Sequence, residues 1–304
     1  MKIDDIKTIL VIGAGTMGHQ IGFLCAMHGF NVKIYDNTLE GLENAKKRID
    51  ALADKCIAKK QLVSDSKKSV IDQIHFFDDL ETAASQADLV TESIPEDPKL
   101  KAKIFSTLDK ICPKHTIFTT NTSTLIPSLI AEATGRPEKF LAFHFHDIVL
   151  TRVVDIMPHP GTSNETIEIV KAFAEKLDQI VILLKKENFG YVFNAMLSDL
   201  FKSALTLASN GVASVEDIDR AWMGVMNTPI GPFGLMDTIG VDTVWKISDF
   251  WANQTKKQQL IANATFLKKY VDEGRCGKKM GKGFYSYPEP LFSQSHFIGS
   301  SNKQ

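Results

Sequence analysis

The chain lacks a charge excess of either sign: 35 Lys and Arg stand against 36 Asp and Glu in 304 residues. Binders of nucleic acid and other polyanions usually carry a basic surplus, so no nucleic-acid partner is expected. Long hydrophobic runs are missing too. No stretch approaches 18 consecutive apolar residues, and no membrane-spanning helix is expected. The start, Met1-Lys2-Ile3-Asp4-Asp5, is charged and leads straight into a strand-like run. It has no signal-peptide core and no Arg-rich transit segment, so the expectation is a cytoplasmic protein. Cysteine is scarce. Cys25, Cys56, Cys112 and Cys276 lie far apart with no C-x-x-C between them. That excludes a small disulfide scaffold and a spaced zinc site, gives no reason to expect a metal, and fits a reducing cytosol.

What is present is ordinary globular material, 44% apolar and 23% charged, enough for a sizeable core. The length suggests two domains. In the first half, Ile9–Ile12, Asn31–Asp36, Ile74–Phe77, Leu89–Glu92, Ile117–Thr120, Leu141–Phe145 and Val153–Met157 read as strands, with Ile180–Leu184 as a further candidate. Helical periods separate most of them, including 16–29 and a charged stretch at 38–60. This alternation predicts an α/β domain with a mostly parallel sheet covered on both faces. After about residue 188 the strand runs stop. Phe189–Ser209 and residues 214–224, 233–250 and 258–273 carry helical spacing, so the second half reads as all-helical. The expected division is 1–188, 189–287 and a loosely ordered tail at 288–304, which holds two prolines and several Ser, Asn and Gln.

Gly13-Ala14-Gly15-Thr16-Met17-Gly18 is G-x-G-x-x-G directly after a strand and opening a helix. The glycines serve a tight turn, close approach of backbone to a pyrophosphate, and close helix–strand packing. The helix N-terminus then meets the phosphates. Asp36 stands 18 residues beyond Gly18, at the end of the second strand, where an acid accepts from a ribose 2′-OH and repels a 2′-phosphate. NAD is therefore favoured over NADP, and the first domain is expected to be of Rossmann type. FAD shares the fingerprint, but the helical second half counts against a flavoprotein.

Taking hydride from an alcohol also requires a group to remove the hydroxyl proton, most often His, and an acid to orient that His. His144 and His146 end a strand, and Asp147 and Asp155 follow. Four stretches stand out: Val11–Gly18; Asn121-Thr122-Ser123 with His144-Phe145 after it; Pro229–Asp237 with Gly240-Val241-Asp242; and Gly277–Tyr285. Together they resemble the L-3-hydroxyacyl-CoA dehydrogenases, the β-oxidation and 3-hydroxybutyryl-CoA dehydrogenase family. The similarity runs from about residue 5 to 287. It implies a Rossmann-type domain followed by a helical dimerising domain, hence a homodimer. His144 matches the family's general base. Ser123 and Asn194 match the groups beside the substrate oxygen. Glu96 and Lys101 match an acid and a lysine near the cofactor ribose and nicotinamide, and Asn121 belongs to the same cofactor-side motif. Read alone, Glu96 and Lys101 form a solvated helix start, and Ser123 caps a helix over Leu125–Ala131.

The chain departs from the family around its base. The family's strand glutamate lies twelve residues after the His, whereas Asp155 lies eleven after His144 and is one methylene shorter. The family's Phe-Asn-Pro is replaced by His146-Asp147-Ile148. Three readings stay open: Asp155 as the partner acid, Asp147 in that role through a changed loop, or a weakened dyad with a changed substrate. His146 reads as a loop or pocket residue. The cluster Lys46, Lys47, Arg48, Lys55, Lys59 and Lys60 is either a solvated face or a surface for coenzyme A phosphates. The expected function is NAD-dependent oxidation of an L-3-hydroxyacyl-CoA, short-chain, to the 3-ketoacyl-CoA. The alternatives are a dehydrogenase of a non-CoA hydroxy acid such as L-gulonate, and an NAD-binding structural dimer with weakened catalysis.

Overall fold

The computed structural model describes residues 1–299. They divide into two compact units, one ending at Asn194 and one beginning at Ala195. The first unit runs β1 Thr8–Ile12, α1 Gly18–Met27, β2 Asn31–Tyr35, α2 Leu39–Ala58, α3 Lys67–Ile71, β3 Ile74–Phe77, α4 Leu80–Ala84 and β4 Leu89–Glu92. It continues with α5 Pro98–Ile111, β5 Ile117–Thr120, β6 Phe140–Phe145, β7 Val153–Pro158, α6 Asn164–Lys176 and β8 Ile180–Leu183. The sheet order is β3-β2-β1-β4-β5-β6-β7-β8. Every pair is parallel except β6 with β7.

Apolar runs in the strands follow from burial on both faces. Ile9 and Val11 join one core with Val32, Ile34 and side chains of α1, α2 and α6. Leu10 and Ile12 point the other way and pack with Val90, Phe105 and Phe118. Alternate residues of one strand thus feed two cores, which explains why β1 shows no polar face. The helices start on local signals. Thr38 caps α2 by accepting from the Gly41 amide at 3.1 Å, and Asp97 caps α5 ahead of Pro98.

The second unit is helical, after α7 Phe193–Ser209, whose first two residues still belong to the first unit: α8 Val215–Met226, α9 Pro232–Ile239, α10 Val241–Thr255 and α11 Gln258–Asp272. The single helix expected over 233–250 is two helices. Gly240 separates them at φ +109°, a conformation L side chains avoid. Two buried aspartates hold the unit's signature segments together. Asp219 accepts from the first amides of α9, Phe233 at 2.8 Å and Gly234 at 3.0 Å, and from the Tyr285 hydroxyl at 2.9 Å. Asp237 accepts from the amides of Phe284 at 2.8 Å and Tyr285 at 2.9 Å. Burial pushes the Asp219 carboxyl up to about 6 against these donors.

The segment after Tyr287 also differs from expectation. Phe297 is buried beneath the Arg220 guanidinium, which lies 4.8 Å from the ring and donates to the Phe297 carbonyl at 2.7 Å. With Phe292 packed edge-on against Tyr285 at 5.0 Å, two aromatic anchors order a stretch that composition marks as loose. Residues 300–304 of that expected tail lie outside the described residues. Among the described residues no helix is long and apolar enough to cross a membrane.

Candidate active site

The strand order turns between β1 and β4, since β2 lies on one side of β1 and β4 on the other. Ligands of open parallel sheets bind outside the carboxyl ends of the strands at such a switch point. The glycine turn sits there. Gly13 has φ +96°, and a Cβ on it would lie 2.8 Å from the Ser93 carbonyl oxygen. A Cβ on Gly18 would lie 1.8 Å from the Gly13 carbonyl oxygen. A Cβ on Gly15 would meet nothing within 4 Å, and Gly15 and Thr16 are exposed while Met17 is half-buried. So two glycines are required by the protein's own packing, and the third keeps the outer face of the turn open. Asp36 reaches back from the end of β2. Its Oδ2 accepts from the Ala14 amide at 2.9 Å and its Oδ1 from the Thr38 amide at 3.0 Å. An open backbone turn with a carboxylate beside it fits a dinucleotide with a free ribose diol.

Lys101 is not part of a solvated helix start, and Glu96, although exposed, is tied to it. Lys101 is 1% exposed, and its Nζ lies 2.6 Å from Glu92 Oε1 and 3.3 Å from Glu96 Oε2. Glu92 is fully buried and also accepts from Thr120 Oγ1 at 2.7 Å and the Ile94 amide at 2.8 Å. Burial raises the Glu92 carboxyl even so. Glu96 gathers the next loop. Its Oε1 accepts from the Thr122 hydroxyl, the Ser123 amide at 3.1 Å and the Thr124 hydroxyl at 2.9 Å. Burial alone would raise Glu96, but the Thr122 bond, Lys101 and the Thr124 bond outweigh it and hold the carboxyl below its ordinary value. Replacing Lys101 by Met leaves Glu92 buried without its cation. The expected loss is about 3–5 kcal/mol of unfolding free energy, read from urea denaturation. Removing both charges, as Glu92→Gln with Lys101→Met, should recover most of it.

The loop so held carries Ser123. No α-helix follows it; Pro127–Leu129 and Ala131–Thr134 are short 3-10 turns. The Asn194 amide nitrogen reaches the Ser123 carbonyl oxygen at 3.4 Å, so both residues border one place. Asn121 points away from the glycine turn. Its Oδ1 accepts from the Phe145 amide at 2.8 Å and ties the end of β5 to the end of β6.

His144 and Asp155 face each other directly in the antiparallel β6–β7 pair. Directly opposed residues have Cβ atoms about 5 Å apart, a gap a short aspartate can bridge. His144 Nδ1 lies 3.1 Å from Asp155 Oδ2, with His144 5% and Asp155 1% exposed. The one-residue-shorter connection is thereby absorbed by register. Asp147 does not join this pair; its Oδ1 accepts from the Val149 amide at 2.9 Å.

His146 does join it. Two residues along from His144, it projects to the same side, and its Nε2 lies 3.2 Å from the same Asp155 Oδ2. The donor atoms of the three residues lie within 4.8 Å of one another, a set of metal-ligating composition. The two N···O separations are hydrogen-bond distances, so the arrangement is one carboxylate shared by two imidazoles. Burial acts to raise the Asp155 carboxyl, but the bonds from His144 and His146 prevail and hold it below its ordinary value. The i, i+2 alternation carried the signal for His146.

The segment after His146 is pinned to the first two helices. Gln20 Oε1 accepts from the Ile148 amide at 3.2 Å, and Lys59 Nζ donates to the Val149 carbonyl at 3.0 Å. Between them lies a cavity of about 300 Å³ whose wall includes His19, Arg48, Lys55 and Asp147. Part of the basic face of α2 therefore borders a cavity. Lys46 instead pairs with Glu43 at 2.6 Å.

Residues 8–187 match the family model of the 3-hydroxyacyl-CoA dehydrogenase NAD binding domain, and residues 190–287 that of its C-terminal domain. The chain is 37% identical over 287 residues to a probable 3-hydroxybutyryl-CoA dehydrogenase of Bacillus subtilis, covering 94% of this chain and 99% of that one. It is 35% identical to the mitochondrial hydroxyacyl-coenzyme A dehydrogenase of Homo sapiens, covering 93% and 91%. Among solved structures, a diketoreductase described for dual catalysis of dicarbonyl compounds matches with TM-score 0.85 and 36% identity, covering 93% of this chain and 99% of that one. The (S)-3-hydroxybutyryl-CoA dehydrogenase PaaH1 of Ralstonia eutropha matches with TM-score 0.83 and 29% identity, covering 93% and 100%. The chain belongs to the 3-hydroxyacyl-CoA dehydrogenase family, and it is an oxidoreductase whose cofactor is NAD.

Proposed function

We propose that the protein oxidises short-chain L-3-hydroxyacyl-CoA thioesters, such as 3-hydroxybutyryl-CoA, to 3-ketoacyl-CoA, a step of fatty-acid β-oxidation. The observation that carries the reading is the cross-strand His144–Asp155 pair, set in a chain whose relatives act on these substrates. Asp155 accepts the Nδ1 proton of His144, which leaves the Nε2 lone pair free to take the substrate's hydroxyl proton. Bound NAD, held along the Gly13–Gly18 turn and Asp36, supplies the hydride acceptor. As the proton arrives on Nε2, the Asp155 carboxylate stabilises the imidazolium. The Ser123 hydroxyl and the Asn194 amide hold the reacting oxygen. In reverse the imidazolium returns its proton to the developing alkoxide. Glu96 and Lys101 act at the cofactor side by fixing the loop that carries Ser123, and Asn121 by locking the strand end that carries His144. Arg48 and Lys55, on the wall of the 300 Å³ cavity, are placed to meet coenzyme A phosphates.

A second reading, a free hydroxy acid or dicarbonyl substrate, is favoured by the altered His146–Arg152 segment and by the similarity to a diketoreductase. The helical unit exposes Val225, Ile247, Phe250 and Trp251, which fits burial in a homodimer. NADH formation by the purified protein distinguishes the readings. L-3-hydroxybutyryl-CoA should turn over, with free 3-hydroxybutyrate and L-gulonate far slower. The reverse ranking selects the second reading, and turnover on any of the three removes a purely structural role. The same preparation should show twice the 33.7 kDa chain mass by light scattering.

A further inference from the structure

Tyr191 lies against the proposed base, and its side chain makes no hydrogen bond among the described residues. Its ring centre is 5.1 Å from that of His144, and the residue is 2% exposed. Ala142, Met157 and Leu184 pack beside it. Among the described residues its hydroxyl has no partner.

The carboxylates around it are taken. Asp155 serves the two imidazoles, and Glu96 serves Lys101 and the loop at 122–124. Glu92 serves Lys101 and Thr120, and Glu187 accepts from Ser128. Burial first, and then the charges of Glu96, Asp155, Glu92 and Glu187, push the phenol far above its ordinary range, so the hydroxyl remains a donor throughout the working pH range.

The placement is enforced by the backbone. Tyr191 has φ +57°, unusual for a bulky residue, and is clamped on both sides: its amide donates to the Asn188 carbonyl at 3.1 Å, and the Asn188 side chain donates to its carbonyl at 2.8 Å. A phenylalanine would fill the same space without burying a donor. A buried donor without a protein partner is costly, and beside a proposed catalytic base it is explained by a ligand atom.

We infer that the Tyr191 hydroxyl is a substrate-binding donor that takes the acyl carbonyl oxygen of a 3-hydroxyacyl compound, next to the oxygen served by His144. The inference rests on the function proposed above, in which His144, Ser123 and Asn194 already surround the reacting oxygen. Tyr191 then selects substrates with a second oxygen two carbons from the first, as against plain secondary alcohols.

Tyr191→Phe keeps the ring and tests this. With L-3-hydroxybutyryl-CoA, kcat/KM is expected to fall about tenfold, which is about 1.4 kcal/mol, mainly through KM. The ligand-free thermal midpoint should rise or stay level, because the variant no longer buries the hydroxyl. Unchanged kcat/KM, or a lowered midpoint with the same fractional loss on a plain secondary alcohol, overturns the assignment. Failure of the parent reading shows separately, as a wild-type enzyme inactive on the thioester. The same comparison is then made with free 3-hydroxybutyrate, which carries the same second oxygen.

Discussion

Replacing His144 by alanine is expected to lower kcat by about 10³-fold, in the upper part of the range for losing a general base. The hydroxyl proton then has no acceptor at the place where Nε2 stands, and water must serve. KM should change little, since Ser123, Asn194 and the proposed Tyr191 contact remain. NAD affinity, followed by quenching of protein fluorescence, should be unaffected, because the Gly13–Gly18 turn and Asp36 lie after β1 and β2, several strands from β6. Asp155 keeps a partner in His146, 3.2 Å away, so the variant does not strand a buried carboxylate and should fold. If His144→Ala turns over like the wild type, the base is another group and the mechanism above is wrong.

Which parts of this molecule the sequence could disclose follows from how local each signal is. The central strands of the first unit read directly because each is a short apolar run buried on both faces, whereas the edge strands β3 and β8 are apolar but partly exposed. The glycine turn and Asp36 read because their spacing follows from one β-α-β unit. Lys101 did not read as buried, since a lysine in the first turn of a charged helix looks solvated. Its burial depends on Glu92, a residue of β4 that only the fold brings within 2.6 Å. The break at Gly240 was hidden by apolar spacing that continues in phase across two helices. The weight of Asp155 was ambiguous for a related reason. Counting along the chain gives eleven residues and a missing methylene, which suggests a displaced acid. Register gives a directly opposed pair, which needs no longer side chain, and register between β6 and β7 is set by cores on both sides of the sheet rather than by the intervening loop. Tyr191 left no trace at all in the sequence reading. An unpartnered hydroxyl is a statement about every neighbour at once, and no spacing rule contains it.

The Asp155 carboxylate should matter nearly as much as the base it holds. Asp155→Asn preserves shape but offers an amide, whose nitrogen can donate to Nδ1 and so place the imidazole's single proton on Nε2. In that tautomer Nε2 cannot accept from the substrate, and the imidazolium formed during turnover loses its counter-charge. The expected fall in kcat is about 10²–10³-fold, with a smaller change in KM. Turnover within a few fold of wild type would move the orienting acid elsewhere or dispense with one. The same substitution has a signature in stability that separates orientation from bulk packing. In the folded protein Asp155 is held below its ordinary value of 3.8 by the two imidazole bonds, which prevail over burial. A carboxyl depressed on folding contributes stability that is fully present above its unfolded pKa and is lost as pH falls through the folded one. The Asp155 carboxylate's share of the unfolding free-energy gap between wild type and Asp155→Asn should therefore be present above the ordinary carboxylate range and be lost below it. A purely steric role for Asp155 predicts a gap that ignores pH. Because both imidazoles draw on one carboxylate oxygen, the gap measures the whole three-residue cluster, and His146, which stands where the family motif places no second histidine, carries a share of it.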